Sequence, residues 1–211
     1  MNVELIRYTP APAELVGEAA AICTAAKHRD KARRGAMASG HTSVAEHASF
    51  TFRVEGVSRA LLAQITRHRL ASFSVESQRY VDMGDMPCVT PPTIAADPEV
   101  LDEYDKVLRH INAFYRYAVD KGIPGEDARY ATPQAACTRF IITANAREWM
   151  HIFAMRSCNR AQWEVREMAD EMLRQAREVA PELFSKAGPG CVRGKCPEGK
   201  MSCGRPRNGN D

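Results

Sequence analysis

Residues 49–80 read SFTFRVEGVSRALLAQITRHRLASFSVESQRY. The first eight alternate: Phe50, Phe52 and Val54 point one way, and Thr51, Arg53 and Glu55 the other, the period of a half-buried strand. The period then changes. Leu61, Leu62 and Ile65 recur at helical spacing and predict a helix over 58–66. A strand running directly into a helix sets the fold class as mixed α/β. Beyond the helix the stretch turns basic. Arg67, His68, Arg69 and Arg79 stand among Ser72, Ser74 and Ser77, with Glu76 as the only carboxylate. Guanidinium groups fork two donors onto phosphate or carboxylate, and serine hydroxyls add more, so the run suits a ligand with several anionic groups. A helix C-terminus favours cations, but that leaves Arg79, beyond the helix, unexplained.

Outward from this stretch, 12–28 is predicted as a helix with Leu15, Val16, Ala19, Ile22, Cys23 and Ala26 on one face. A second helix over 30–39 stops at Gly40. Ser43 and Glu46 have capping-box spacing for a short helix. "QRYVDM", 78–83, is expected to resume as a strand, and 83–97, with three prolines, as a loop. Asp97, Pro98 and Gly122 mark the start and end of a long helix. "CTRFIITA" is a further strand. Asn145 caps a helix whose Trp149, Ile152, Phe153 and Arg156 share a face, and another helix covers about 161–180. From Gly188 the chain is rich in Gly, Pro, Lys and Arg and is expected to be a mobile tail. The architecture is therefore helix-rich with a small antiparallel sheet, and the division is 1–187 plus a Cys/Gly/Lys-rich tail at 188–211.

Hydrophobic residues are 45% and charged residues 26% of the 211, as in soluble globular proteins. The net charge of +3 is too small for a general nucleic-acid coat, so the basic cluster is local. No apolar run is long enough to span a membrane. The N-terminus lacks a secretory pattern, and the seven cysteines read as reduced cytoplasmic thiols. No G-x-G-x-x-G follows a strand, and "GPGCVRGKC" has the wrong glycine spacing for a phosphate loop.

R-H-R, seven residues, then S-x-R stands here as Arg67-His68-Arg69, LASFSVE and Ser77-Gln78-Arg79. With "GHTSVAEHASFTF" upstream and "NAREWMHIFAMR" and "AQWEVR" downstream, the chain resembles the flavin-dependent thymidylate synthases over roughly 1–185. The resemblance implies that family's α/β fold, a homotetramer with sites at subunit interfaces, and conversion of dUMP to dTMP. It implies FAD as cofactor, recharged by NADPH, and methylenetetrahydrofolate as carbon donor. His41, Ser43, Arg67, His68, Arg69, Asn145, Arg147 and His151 are matched to FAD. Gln64, Arg67, Glu76, Ser77, Gln78, Arg79, Arg129 and Arg156 are matched to dUMP, with Arg156 the group that activates the uracil ring. Two positions depart from the family pattern. Val75 stands where Glu or Gln is usual, with Glu76 next to it, and His151 stands where some members have Asn. An Arg amid Trp149, Ile152 and Phe153 is costly unless paired, and an anionic uracil ring is such a partner.

Other chemistries fit less well. Cys23 and Cys137 sit in apolar patterns expected of buried structural thiols, and Ser77 lacks a partnered base. His41, Glu46 and His47 miss the spacing of a zinc hydrolase. Cys191, Cys196 and Cys203 would need a fourth ligand, Cys158 or a His, and have no C-x-x-C pair, so no metal site is expected. A nucleic-acid module using the basic loop would bind with a steep salt dependence and carry no chromophore.

Overall fold

The structure, a computed structural model, describes residues 1–208. Positions 209–211, the end of the expected tail, lie outside the described residues. The elements are β1 (Asn2–Tyr8), α1 (Pro12–Thr24), α2 (Arg29–Ala38), β2 (Ser49–Ser58), α3 (Arg59–Ile65), β3 (Ser72–Val75), α4 (Pro92–Ala95), α5 (Pro98–Asp120), α6 (Gly125–Ala128), β4 (Cys137–Asn145), α7 (Ala146–Arg156), α8 (Trp163–Val179) and α9 (Pro181–Phe184). One small antiparallel sheet has the order β1-β2-β4-β3. No helix among the described residues is long and apolar enough to cross a membrane.

The chain divides into two compact units. The first holds Met1–Asn2, Val54–Gln64 and Ser74–Phe140; the second holds Val3–Arg53, Ile65–Phe73 and Ile141–Asp211. The second unit's core is aromatic. Phe52 meets Trp149 edge to face at 4.9 Å, Phe50 meets Phe184 at 5.1 Å, and Phe153 stacks on Trp149 at 5.5 Å. The Trp149 indole N–H, fully buried, donates to the Phe50 carbonyl at 3.0 Å, so its one polar atom is satisfied. The first unit's separate core gathers Met83, Met86, Tyr115, Ala118, Ala128 and Ala136 under α5.

Local signals place most elements where the sequence predicts them. In β2 the inward side chains Phe50, Phe52 and Val54 are all fully buried. The Asp97 side chain accepts from the Glu99 and Val100 amides to start α5, and the chain leaves that helix through Gly122 at φ 85°.

Four expectations are corrected. The buried face of α1 is Pro12, Val16, Gly17 and Ala20, an i, i+4 stripe, whereas Ile22 and Cys23 are exposed. Gly17 sets that face, because a Cβ there would stand 3.0 Å from the Arg29 carbonyl oxygen where α2 begins. The capping box at Ser43 is not formed: Thr42–His47 is a 3-10 turn without a side-chain cap. The strand after the basic cluster lies earlier than expected, at β3, and "QRYVDM" is a turn in which the Tyr80 and Val81 amides both donate to the Ser77 carbonyl. Residues 188–208 are not loose: Gly188 and Pro189 are buried, and Arg207 donates to both Asp170 carboxylate oxygens at 2.8 Å.

Candidate functional site

The predicted residues fall into two groups, one in each unit. In the second unit, a tight turn follows α3. The His68 amide donates to the Ile65 carbonyl, and the Ala71 amide to the His68 carbonyl, both at 3.1 Å. This turn throws Arg67 and Arg69 outward and drives His68 inward, to 6% exposure. There the imidazole bridges two residues of α7. Its Nδ1 lies 3.2 Å from the Glu148 carboxylate, and its Nε2 lies 3.0 Å from Arg156 Nε. An arginine Nε–H only donates, so Nε2 accepts and the proton sits on Nδ1, where it donates to Glu148. His68 is thus a neutral imidazole of one tautomer. Its pKa agrees: burial lowers it first and the Arg156 charge adds to this, against the raising effect of Glu148. Burial, followed by the Arg67 charge, also lowers the Arg156 pKa, although an arginine remains charged at any working pH.

Glu148 was not singled out in the sequence. It stands three residues after Asn145, and the Asn145 side chain accepts the Glu148 amide at 2.9 Å, so its position there reads as ordinary N-terminal helix chemistry. Its burial, at 7% exposed, is the distinguishing fact, and a sequence pattern does not reveal it. Arg147, one residue earlier, points to solvent and pairs with Glu46. His151 is exposed on α7, its ring 5.5 Å from that of His68.

His41 and Ser43 line a cavity of about 730 Å³ with Lys27, His28, Lys31 and Ser39. His151 lines a second, of about 790 Å³, with Arg33, Arg34, Lys186 and Arg193. Both are of ligand size and carry several cations. The structure therefore joins His68, Glu148 and Arg156 directly, and leaves Arg67, Arg69, Arg147 and His151 on the surface around them.

In the first unit the nucleotide-matched residues cluster around Glu126, another residue the sequence pattern did not flag. The Arg79 Nε–H donates to its carboxylate at 2.7 Å, and the Arg129 Nε–H to its backbone carbonyl at 2.9 Å. Ser77 Oγ accepts the Arg79 amide at 3.3 Å and so holds the turn. Gln78 is 8% exposed, and its side-chain Nε2 has no hydrogen-bond partner, so it is an orphaned donor in a dry position. Glu76 is taken up by Arg139, through an ion pair and through its own amide to the Arg139 carbonyl at 3.0 Å. Gln64 is half-buried and donates to the Ala60 carbonyl at 3.1 Å.

Cys88 is not poised as a nucleophile. Burial, then the neighbouring Cys137, pushes the Cys88 thiol up, away from the reactive thiolate. None of the seven cysteines is in a disulfide.

Both the sequence and the fold have counterparts among known proteins. The profile of the family described as "Thymidylate synthase complementing protein" matches residues 4–182. The chain is 46% identical to a flavin-dependent thymidylate synthase of Geobacter sulfurreducens, over 97% of this chain and 94% of that protein. It is 41% identical to one of Clostridium tetani with the same coverage, and 36% identical to one of Pyrococcus furiosus over 94% and 90%. A solved flavin dependent thymidylate synthase from Helicobacter pylori, complexed with FAD and dUMP, has a TM-score of 0.70 at 24% identity, covering 89% of this chain and 100% of its own, a likeness of fold. With a profile match over most of its length and relatives this similar end to end, the chain belongs to the flavin-dependent thymidylate synthase family.

Proposed function

We propose that the protein carries out the reductive methylation of dUMP to dTMP, with methylenetetrahydrofolate as carbon donor and NADPH-reduced FAD as hydride source, as a cytoplasmic homotetramer. The observation that carries this reading is the Glu148–His68–Arg156 chain: a half-buried guanidinium whose plane is fixed through Nε by a neutral imidazole. Such a group is suited to stabilise negative charge developing on the N3–O4 side of a uracil ring without a covalent thiol. FAD, when bound, supplies the hydride. The residues present fit it: Arg67, Arg69 and Arg147 offer charge to a pyrophosphate, and the cavity at His41 and Ser43 has the size for a ring system. Both His68 ring nitrogens are engaged internally, so its role is to position Arg156 beneath the flavin-binding surface.

The nucleotide side follows from the first unit. Arg79 and Arg129 neutralise a phosphate, displacing the surface carboxylate of Glu126 from Arg79. The orphaned amide of Gln78 gives a base or sugar oxygen a donor already desolvated. Within a tetramer, Ser77, Gln78 and Arg79 serve a site that takes its Arg156 from a different subunit.

The test is a product assay on purified protein with FAD, NADPH, methylenetetrahydrofolate and dUMP. Conversion of dUMP to dTMP that requires both FAD and the folate is expected. Oxidation of NADPH with no dTMP formed, all components being present, would overturn the assignment.

A further inference from the structure

Four of the cysteines come together outside the machinery described above. Cys158, from the turn after α7, and Cys191, Cys196 and Cys203, from the C-terminal segment, line one cavity of about 20 Å³. That is room for roughly one small ion or water, not for an organic ligand. All four are partly buried, and none is in a disulfide.

The backbone aims donors at two of the sulfurs. The Arg205 amide donates to Cys203 Sγ, two residues earlier, and the Arg207 amide to Cys191 Sγ, each at 3.4 Å; the Cys203 thiol in turn donates to the Arg205 carbonyl at 3.4 Å, a proton that metal binding would displace. A neutral thiol is a weak acceptor. Amide donors on sulfur are the outer-shell support that orients and stabilises thiolates ligating a metal. The turns are built for this approach. A Cβ at Gly190 would come within 2.6 Å of the Pro197 ring, so glycine lets the chain fold Cys191 back toward the Cys196 side. Gly204, at φ 70°, turns the chain just after Cys203 and directs the Arg205 amide back to it.

The segment has little core of its own. Residues 188–208 contain only 3-10 turns of three or four residues, and past Pro189 none of them is fully buried. Small domains with a comparable shortage of apolar core are usually held by disulfides or a structural metal.

We propose that Cys158, Cys191, Cys196 and Cys203 form a tetrathiolate site for a structural zinc ion. Four soft thiolates and no open position are the donor set of structural zinc. Among the described residues no group of three or more His, Cys, Asp and Glu side chains forms a ready-made metal site. Binding therefore includes rotation of the cysteine side chains and closure of the turns around the ion, with release of the thiol protons. The ion ties the C-terminal segment to the turn that begins one residue after Arg156. Existing contacts outline that junction: Asn159 Nδ2 donates to the Arg205 carbonyl at 2.8 Å, and Arg207 donates to the Ser157 carbonyl at 2.7 Å.

The test uses the full-length protein, purified reduced and without chelator. Elemental analysis should find about one zinc per chain, as for a closed structural site. A mercurial thiol reagent should release that zinc to a metallochromic dye, and cobalt exchanged into the site should show thiolate-to-metal charge-transfer absorption. Cys203→Ser should lose the zinc, and Cys203→His should recover much of it, since imidazole also ligates zinc. These readouts do not depend on thymidylate chemistry, so their failure and the failure of the proposed reaction are separable. Reduced wild-type protein with neither zinc nor cobalt absorption overturns the site. So does iron in place of zinc, a disulfide between any two of the four, or full zinc content in Cys203→Ser.

Discussion

The two units hold their functional side chains in opposite ways. In the second unit the chain Glu148–His68–Arg156 is buried or half-buried, and the hydrogen bonds at both His68 ring nitrogens are made within the unit. In the first, Arg79 and Glu126 are roughly half exposed, with side-chain exposures of 55% and 46%, and their pair is open to solvent. A buried network is costly to disturb and holds one geometry, whereas an exposed ion pair is worth little and exchanges readily. The first arrangement suits a group that must be oriented before substrate arrives. The second suits cations that must let go of one carboxylate to take a phosphate.

The contrast puts the largest effect at the end of the buried chain. Arg156→Ala should reduce dTMP formation by ~10²-fold or more while the flavin spectrum is retained. Arg156→Lys should recover only part, because an ammonium cannot keep the fixed plane that His68 sets. Unchanged turnover in Arg156→Ala would remove the electrostatic account of activation.

A smaller effect belongs to the middle of the chain and appears in stability. Glu148→Ala leaves the buried Nδ1–H of His68 without an acceptor and should cost about 1–3 kcal/mol in denaturant unfolding, with Glu148→Gln recovering part. The His68 pKa is depressed in the folded state, so its contribution is fully present above the unfolded imidazole value near 6.5 and is lost as pH falls through the lower folded value. Stability should therefore decline on acidification from about pH 6.5, with His68→Gln showing a flatter profile over that window. Equal pH profiles for the two proteins would show that His68 is not held neutral.

The smallest structural effect is expected in the exposed pair. Glu126→Gln should change stability by less than ~1 kcal/mol, as for other surface ion pairs. Arg79→Ala should be equally mild for the fold, yet raise the dUMP KM by roughly tenfold, the scale of one charge-assisted hydrogen bond. A large loss of stability in either variant would mean that the two units are not built on different principles.

These differences also explain what the sequence revealed. The β2 alternation, the Asp97 cap of α5 and the Asn145 cap of α7 are local signals, written within a few residues, and they read correctly. The cations of the R-H-R and S-x-R motif are local in the same sense, standing within thirteen residues. What could not be read depends on partners far along the chain. Glu148 is 80 residues from His68, and Arg156 is 88. Glu126 is 47 residues from Arg79. The apolar look of Ile22 and Cys23 misled because which stripe of α1 is buried is decided by Gly17 meeting the start of α2. The strand at β3 was hidden in a run whose serines and arginines advertise a loop. The C-terminal segment looked loose because its ties to Ser157, Asn159 and Asp170 have no pattern of their own.

The pairing of β2 with β4 has a consequence for synthesis. The Trp149 indole that seals the Phe50 carbonyl lies 99 positions downstream of it, and the Thr51 and Thr143 hydroxyls that meet at 2.9 Å are 92 apart. On the ribosome, Phe50 and Phe52 emerge long before the residues that bury them, and Phe184 comes later still. The second unit is therefore expected to fold only after α7, α8 and α9 have emerged, through contacts of high sequence separation that form slowly. Until then, an unpaired strand carrying two phenylalanines is the stretch most in need of a chaperone.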